Sequence, residues 1–246
     1  MTGNRVPADV DAVAHLFVNS LADTCTVDGD DGHHLQRVRR LVPGERVTAA
    51  DGTGAWRTYT IANVAPGSFM LEAVDVSQDQ APPAVAIALA VALTKGGIDD
   101  VAASVTELGV ARITPVHAAR TIVRWDADKT AQHLARLERV AREAAMQSRR
   151  TRIPVIEGVA TVADIAASAD LVVADRSGVR ASALLPPEAG EWTVLVGPEG
   201  GFAPEEREML SDRPRLALAD TVLRAVTAPI AAVAVLEERI AQMRPT

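Results

Sequence analysis

The chain has 246 residues, of which 48% are hydrophobic and 23% are charged, and it contains a single cysteine, Cys25. This composition excludes a disordered, collagen-like or coiled-coil protein, and the length suits one large domain or two modest ones. The formal charge is −7, from 25 Lys and Arg against 32 Asp and Glu. A negative total argues at first against a nucleic-acid partner, because phosphate binding is driven by basic surface. A single cysteine excludes an internal disulfide and is typical of the reducing cytoplasm.

The first part of the chain predicts a small β-barrel. Short strand-like segments separated by turn signals cover residues 15–19, 24–27, 45–50, 56–64 and 68–76. One predicted helix, over residues 32–41, interrupts these strands. It follows Asp30 and Asp31, which can cap its first turn, and it stops before Pro43 and Gly44.

A domain boundary is expected where the barrel pattern ends. Residues 77–83 are polar and end in two prolines, which is typical of a linker. We therefore expect one domain over residues 1–78 and a second over residues 82–246.

The second part of the chain alternates between strand-like and helix-like segments. Predicted strands cover residues 85–93, 111–116, 171–174, 192–196 and 215–218. Predicted helices cover residues 99–108, 127–147, 161–169, 204–210 and 227–243. Such alternation predicts an α/β domain whose mostly parallel sheet is covered by helices on both faces.

No segment has the pattern of a targeting or membrane-spanning sequence. Residues 1–13 lack the cationic and apolar segments of a signal peptide. The longest apolar run, residues 84–93, is too short to cross a bilayer but suits a buried strand. We therefore expect a cytoplasmic protein with no membrane partner.

A glycine-rich loop follows the predicted strand at residues 192–196. It reads Gly-Pro-Glu-Gly-Gly-Phe from Gly197, and a helix is predicted to begin near Pro204. A loop of this kind at the carboxyl end of a parallel strand lets a ligand reach backbone amides, because glycine has no Cβ in the way. The loop matches neither the dinucleotide-binding nor the Walker pattern. A plain strand-to-helix turn is the alternative interpretation.

A second loop, residues 218–228, again joins a predicted strand to a predicted helix. Arg224 is its informative member, because an Arg between two apolar segments either extends to solvent or meets an anion. The apolar face of the helix that follows indicates core or a subunit interface rather than a ligand contact.

The negative total conceals one basic segment. Residues 112–152 contain ten Lys and Arg against four Asp and Glu and so carry +6, whereas residues 1–111 sum to −7 and residues 153–246 to −6. Arg149 and its cationic neighbours follow the long predicted helix, where they either complement the helix dipole or contact an RNA backbone. Spacing does not decide between the two.

A smaller basic group lies on the predicted helix of the first domain. It contains His33, His34, Arg37 and Arg40. Two adjacent His are a weak metal signal, because neighbours on a helix point about 100° apart and no third ligand is near. We favour a solvated or RNA-facing helix over a metal site.

Taken in order, these segments resemble the 16S ribosomal RNA uridine-N3 methyltransferases (RsmE-type), which belong to the SPOUT or trefoil-knot superfamily. Each motif is modest, but their order is specific. The matching segments are His33-His34 and residues 37–40, Lys95-Gly96, residues 106–109 followed by Pro115, residues 143–154, residues 197–202 with Glu205, and residues 222–224 with Thr227-Ala228.

The resemblance implies an N-terminal PUA-like β-barrel that helps to grip RNA, a C-terminal SPOUT-type α/β domain that ends in a trefoil knot, and a homodimer. It also implies the cofactor S-adenosylmethionine, held by loops at residues 173–176, 196–201 and 218–225. The expected cofactor contacts are Val173, Ala174, Val196, Gly197, Gly200, Gly201, Leu218, Leu223 and Ala225.

The implied reaction is methylation of N3 of one uridine in 16S ribosomal RNA within the assembled small subunit, without a metal. Uracil N3 must lose a proton to attack the methyl group, so the site should stabilise a uracil anion. Arg224 and Arg149 are the candidate cationic stabilisers, and Glu199 is the candidate positioning or proton-accepting group. The expected RNA contacts are His33, His34, Arg37, Arg40, Lys95, Arg150 and Arg152.

Two positions depart from the family pattern. The family usually has Gly where this chain has Ala219, and Glu where it has Val226. These departures raise the alternative of a non-catalytic RNA-binding or ribosome-assembly factor with the same fold. A SPOUT enzyme that acts on another RNA site or another base atom is the other alternative interpretation. Binding of S-adenosylmethionine separates the non-catalytic factor from the enzymes.

Overall fold

The computed structural model describes residues 5–7, 10–29 and 41–243. It divides the chain into two compact units: unit 1 comprises Met1–Pro83 and Ala145–Ile153, and unit 2 comprises Ala84–Ala144 and Pro154–Thr246. The division after Pro83 lies close to the boundary expected from composition. The inclusion of Ala145–Ile153 in unit 1 is a finding that no composition change marks. Almost all of the helix predicted over residues 32–41 lies outside the described residues.

Unit 1 is built on a sheet of six strands. The strands are β1 (Ala14–Phe17), β2 (Thr24–Val27), β3 (Arg46–Ala50), β4 (Ala55–Ala65), β5 (Ser68–Ala73) and β6 (Gln78–Asp79). Their order is β1-β3-β4-β5-β2, and β6 pairs with β4. β1 runs parallel to β3, whereas the other pairs are antiparallel. The turn between β3 and β4 is held by Asp51, whose carboxylate accepts the backbone N–H groups of Thr53, Gly54 and Ala55.

Unit 1 has two clusters of buried apolar side chains, and the smaller one joins Phe17, Ala50 and Trp56 to Ala145 and Met146. Buried apolar side chains from β3, β4 and β5 include Val47, Tyr59, Ile61, Phe69 and Leu71. They alternate with more exposed residues along β4 and β5, as expected for strands with one face in a core.

A buried histidine fixes the segment Ala145–Ile153 within unit 1. His15 Nε2 lies 2.8 Å from the carbonyl oxygen of Arg150, and His15 Nδ1 lies 2.8 Å from the hydroxyl of Thr48. A carbonyl only accepts, so Nε2 donates and, in the neutral ring, Nδ1 accepts from Thr48. Burial lowers the pKa of His15 to about 4, which keeps the ring neutral.

Unit 2 is an α/β domain. Its strands are β7 (Ala86–Ala92), β8 (Arg112–His117), β9 (Val155–Ile156), β10 (Ala160–Thr161), β11 (Leu171–Val179), β12 (Glu191–Val196) and β13 (Arg215–Leu216). Its helices are α1 (Ile98–Leu108), α2 (Ala127–Gln147), α3 (Val162–Ala166), α4 (Pro204–Met209) and α5 (Thr227–Met243), and the last residues of α2 belong to unit 1. The strand order is β10-β8-β7-β12-β11-β13, β9 pairs with β8, and all pairs are parallel. The predicted parallel sheet is therefore confirmed.

Helices cover both faces of this sheet because its central strands are apolar on both sides. On one face, α1 and α5 pack through residues such as Val105 and Leu236 against Leu89 of β7. On the other face, Ile165 of α3 and Leu210 pack with Leu195 of β12. These side chains leave at most 7% of their surface exposed, so the sheet forms the middle layer of the unit.

The chain reverses its order across the sheet between β7 and β12. After β7 it moves outward to β8, whereas β11 and β13 lie beyond β12 on the other side. Ligands of open α/β sheets bind at such a reversal, beyond the carboxyl ends of the strands. Beyond β12, at the edge of the sheet, the long strand β11 contacts the chain around β13, since Val173 N–H donates to Pro214 and Ala217 N–H donates to Val179. The trefoil knot implied by the resemblance stays a prediction.

Within the part of the chain that the structure describes, no helix is both long enough and apolar enough to cross a bilayer.

Candidate functional site

A cavity of about 470 Å³ opens at the carboxyl ends of β12 and β13 and beside the middle of β11 in unit 2. Three segments supply most of its wall: residues 174–176, residues 196–202, and residues of the loop between β13 and α5. These are the three loops that the resemblance assigns to the cofactor. Of the expected cofactor contacts, the following line the cavity: Ala174, Val196, Gly197, Gly200, Gly201, Leu218, Leu223 and Ala225. Val173 is 1% exposed within β11.

The glycine-rich loop is shaped by one aromatic ring. A Cβ on Gly197 would lie 2.8 Å and 2.9 Å from two carbons of the Phe202 ring, which is closer than real side chains approach. Gly201 N–H donates to the carbonyl of Pro198 at 2.8 Å and closes the turn. The loop therefore folds back on itself, and Gly197 has no side chain because the Phe202 ring occupies that space.

The start of α4 is tied to the loop that follows β8. The carboxylate of Glu206 accepts the N–H of Ala203 at 2.8 Å and the N–H of Ala119 at 2.7 Å. Glu206 is 9% exposed, so these two hydrogen bonds offset the cost of burying its carboxylate. Beside Ala119, Arg120 Nη1 donates to the carbonyl of Gly200 at 3.0 Å and lines the cavity.

An ion pair lies in the cavity wall between the middle of β11 and β13. Arg215 Nη1 lies 3.0 Å from the carboxylate of Asp175, and both residues line the cavity. The backbone N–H of Ser177, followed by the Ser177 hydroxyl and the charge of Arg215, lowers the pKa of Asp175. Asp175 is therefore ionised at neutral pH and can accept hydrogen bonds from ligand hydroxyl groups.

The loop before α5 carries Arg224. Its backbone carbonyl accepts the N–H groups of Thr227 and Ala228 and so starts the helix. The Arg224 side chain is exposed, and within residues 5–7, 10–29 and 41–243 no acceptor for its guanidinium is found. The neighbouring Val222 is 76% exposed and lines the cavity.

The structure brings only part of the predicted catalytic group to the cavity. Glu199 is exposed and lines it, and Arg224 belongs to a loop that lines it. Arg149 belongs to unit 1 instead, where its guanidinium donates to the carbonyls of Val10 and Ala12.

The residues predicted to bind RNA fall into three groups. His33, His34, Arg37 and Arg40 lie outside the described residues. Lys95 is exposed in the turn between β7 and α1. Arg150 is 3% exposed, so its guanidinium does not face an external ligand in this structure.

Arg152 forms the third group together with Arg150, and it also contacts residues of its own unit. Its guanidinium donates to the carbonyls of Thr53 and Gln80. The structure therefore gives both Arg150 and Arg152 contacts within unit 1.

Four arginines line the cavity that the sequence patterns did not single out: Arg120, Arg176, Arg207 and Arg215. Arg120 could have been found, because it follows a strand of the parallel sheet and the carboxyl ends of such strands meet at one edge. Their charges suit an anionic partner such as RNA. Among the residues that the structure describes, no three His, Cys, Asp or Glu side chains lie close enough together to hold a metal ion.

Family models match both parts of the chain. Residues 81–237 match an RNA methyltransferase domain, and residues 27–72 match an RNA methyltransferase PUA domain. The first match covers more than half of the chain, and the two matches follow the predicted order of barrel and α/β domain.

Named relatives cover most of the chain. A Mycobacterium bovis protein named Ribosomal RNA small subunit methyltransferase E is 35% identical over 92% of this chain and 94% of its own length. A Synechocystis protein of the same name is 31% identical over 86% of this chain and 72% of its own.

Solved structures share the fold. The Ribosomal RNA small subunit methyltransferase E of Neisseria gonorrhoeae, bound to S-adenosyl methionine, has a TM-score of 0.79 at 25% identity, covering 90% of this chain and 96% of that one. A methyltransferase of Legionella pneumophila in complex with the same cofactor has a TM-score of 0.81 at 25% identity, covering 93% and 98%. Sequence motifs, domain order and these comparisons agree, and the chain belongs to the ribosomal RNA small subunit methyltransferase E family.

Proposed function

We propose that this protein transfers a methyl group from S-adenosylmethionine to N3 of one uridine in 16S ribosomal RNA. The observation that carries the proposal is the convergence of three segments on one cavity of about 470 Å³ at the carboxyl ends of β12 and β13. The chain belongs to a family of ribosomal RNA methyltransferases, and its Neisseria relative is bound to S-adenosyl methionine in the same fold.

The walls of the cavity suit this cofactor. Val196, Leu218 and Leu223 supply apolar surface that fits a purine ring. The ionised carboxylate of Asp175 fits ribose hydroxyl groups, and the backbone of the glycine-rich loop offers N–H groups to polar atoms of the ligand. When bound, S-adenosylmethionine supplies an electrophilic methyl group on a positively charged sulfur.

Two residues would perform the proton and charge chemistry on the uracil. N3 of uracil carries a proton at neutral pH, and we assign the Glu199 carboxylate to accept it or to position the base. The N3 lone pair then forms the new bond to carbon while the carbon–sulfur bond breaks. Negative charge develops on the base as the proton leaves, and the Arg224 guanidinium would stabilise it.

Arg149 is assigned a structural role instead of a catalytic one. Because its guanidinium binds the carbonyls of Val10 and Ala12, we assign to it the positioning of the segment before β1. The charge on the uracil is then assigned to Arg224 alone.

The proposed partners are the small ribosomal subunit and a second copy of the chain, in the cytoplasm. The match to a PUA domain supports an RNA contact by unit 1. Helix α5 supports the homodimer, since residues 228–236 are all apolar while Ile230, Ala231, Ala234 and Val235 remain partly exposed in the single chain. A helix that is apolar on all sides is normally buried on all sides.

Mapping of modified uridines in 16S ribosomal RNA tests the function directly. A strain that lacks the protein should lose one N3-methyluridine, and the purified protein with S-adenosylmethionine should restore it on small subunits from that strain. Survival of every N3-methyluridine in that strain contradicts the proposal. Calorimetry with S-adenosylmethionine separates the alternatives, because an assembly factor without a cofactor site gives no binding heat.

Two variants test the assigned roles. Arg224→Ala and Glu199→Gln should each lower the single-turnover rate on small subunits by about tenfold or more while the affinity for S-adenosylmethionine stays within about twofold. An unchanged rate at saturating cofactor removes the role assigned to that residue.

A further inference from the structure

We propose that Arg120 binds an RNA phosphate at the mouth of the cavity and that the buried carboxylate of Glu206 positions it there. This inference rests on the proposed function and deepens it, since it names a substrate contact that the sequence patterns did not indicate. Arg120 is an RNA-binding residue in this proposal, and Glu206 is a positioning residue.

The side chain of Arg120 lies where the glycine-rich loop forms the rim of the cavity. Arg120 is exposed, lines the cavity and donates from Nη1 to the carbonyl of Gly200 at 3.0 Å. A guanidinium has five N–H donors in a planar fork. Within the described part of the chain Gly200 is the one acceptor found for Arg120, so one edge of the fork is oriented by the loop and the other is left for a ligand.

The backbone around Arg120 is held on both sides. Before it, Ala119 N–H donates to Glu206, and after it the buried Thr121 hydroxyl accepts the N–H of Ala118 at 3.1 Å. Thr121 N–H also donates to the carbonyl of Ala118 at 3.0 Å, which closes the turn. A fixed turn with an exposed guanidinium on it pre-organises one cation, so little conformational entropy is lost when a ligand binds.

The position of Arg120 favours a phosphate over the uracil. An enzyme that acts on N3 of uracil takes the base out of its stack, and the backbone phosphates of that nucleotide then lie at the mouth of the cavity. When one edge of an exposed guanidinium is bound to the protein, the other edge can donate two parallel hydrogen bonds to a phosphate. The charge on the uracil is already assigned to Arg224, which lies in a different loop around the cavity.

Binding measurements with ribosomal subunits test this contact. The probe is the small subunit from a strain that lacks the protein, titrated with the full-length protein at several salt concentrations. Arg120→Ala should weaken binding about tenfold and lower the salt slope by about one unit. Arg120→Lys keeps the charge but loses the planar fork, so its affinity for the subunit should lie between those of the wild type and of Arg120→Ala.

The matched control is Arg124→Ala. Arg124 is an exposed cation four residues away in the same loop and is absent from the cavity wall. It should change subunit binding by less than about twofold. If Arg124→Ala weakens binding as much as Arg120→Ala, the loss comes from the lower positive charge of the loop, and the proposed phosphate contact of Arg120 is wrong.

Two further readouts separate a phosphate contact from other roles. For Arg120→Ala, the affinity for S-adenosylmethionine and the single-turnover rate at saturating subunits should stay within about twofold of wild type. A loss of cofactor affinity assigns Arg120 to the glycine-rich loop alone, and a fall in the saturating rate assigns it to the base. Either result overturns the proposal.

Glu206 is tested through its dependence on Arg120. Glu206→Gln should weaken subunit binding in the same direction, and the double variant should bind no more weakly than Arg120→Ala alone. Additive losses contradict the positioning role. Unfolding curves of each variant show whether its fold is intact, and the Arg120 variants alone decide the phosphate contact if Glu206→Gln does not fold. A wild-type protein that binds subunits without methylating them contradicts the proposed function and leaves this binding test valid.

Discussion

The side chain of Val226 lies directly against the α-carbon of Gly97, so that the loop before α5 and the loop before α1 touch at this point. Gly97 has a φ of +82° and precedes the first residue of α1. Val226 is one of the two departures from the family pattern, and it stands two residues from Arg224. In this chain the loop that carries Arg224 is therefore held by an apolar contact through Val226.

Gly97→Ala should destabilise the protein. The new methyl group would overlap the Val226 side chain, and the left-handed backbone at Gly97 disfavours any residue with a Cβ. We expect a loss of about 2 kcal/mol in the free energy of unfolding, measured with urea. Gly96→Ala is the control, since nothing lies within 4 Å of its added Cβ. Equal effects at the two positions contradict this explanation.

Gly197→Ala should impair cofactor binding. Its Cβ would displace the Phe202 ring, from which it would be separated by 2.8 Å, and the glycine-rich loop would have to move. We expect calorimetry to show an affinity for S-adenosylmethionine at least about tenfold weaker. Gly200→Ala adds the same methyl group in the same loop, but its nearest neighbour is Arg120 Cβ at 3.6 Å, an ordinary contact. A tight-binding Gly197→Ala variant removes the steric role of Phe202.

Ala219→Gly should leave cofactor affinity unchanged or raise it, by up to about tenfold, because it removes a methyl group from the cavity wall. Ala217→Gly is the matched comparison. Ala217 is buried and is absent from the cavity wall, so its replacement should lower stability without raising affinity. A weaker affinity in Ala219→Gly indicates that the methyl group contacts the cofactor favourably.

The stability of the protein should fall as the pH is lowered from about 6.5 toward 4 through His15. Burial lowers the pKa of His15 from 6.5 to about 4. Between these two pH values the unfolded chain binds a proton at His15 that the folded chain does not bind. The loss is fully absent well above pH 6.5 and amounts to about 2 kcal/mol at pH 5. Urea unfolding at pH 7 and pH 5 measures it.

His15→Gln isolates this contribution. Glutamine does not titrate, and it can still donate to the carbonyl of Arg150 and accept from Thr48. The change in unfolding free energy between pH 7 and pH 5 should therefore shrink by about 2 kcal/mol. The contribution of His117, whose pKa is also lowered by burial, remains in the variant. An unchanged slope contradicts the assignment.

Arg149→Ala should act on stability more than on catalysis. The variant loses two charged hydrogen bonds, to the carbonyls of Val10 and Ala12, and we expect a loss of about 1–3 kcal/mol in unfolding free energy. The single-turnover rate at saturating substrate should stay close to that of wild type. A large fall in that rate at unchanged stability returns Arg149 to the catalytic group.

Local patterns in the sequence determined most of the architecture. The predicted bounds of α2 and α5 match the structure, and the apolar run of β7 correctly indicated a strand buried in a parallel sheet. The glycine-rich loop was recognised for the same reason, since turn signals and periodicity are properties of neighbouring residues. The family motifs then named the cofactor and its three loops.

Only the tertiary structure determined which other side chains lie at the site that those loops form. Arg149, Arg150 and Arg152 are three cations in sequence, but the fold gives each of them contacts within unit 1. Arg120 has no motif around it, yet Glu206 holds its turn beside the glycine-rich loop. These hydrogen bonds join residues roughly 70 to 140 positions apart, and contacts at that separation leave no local signal because they exist only after the sheet has formed.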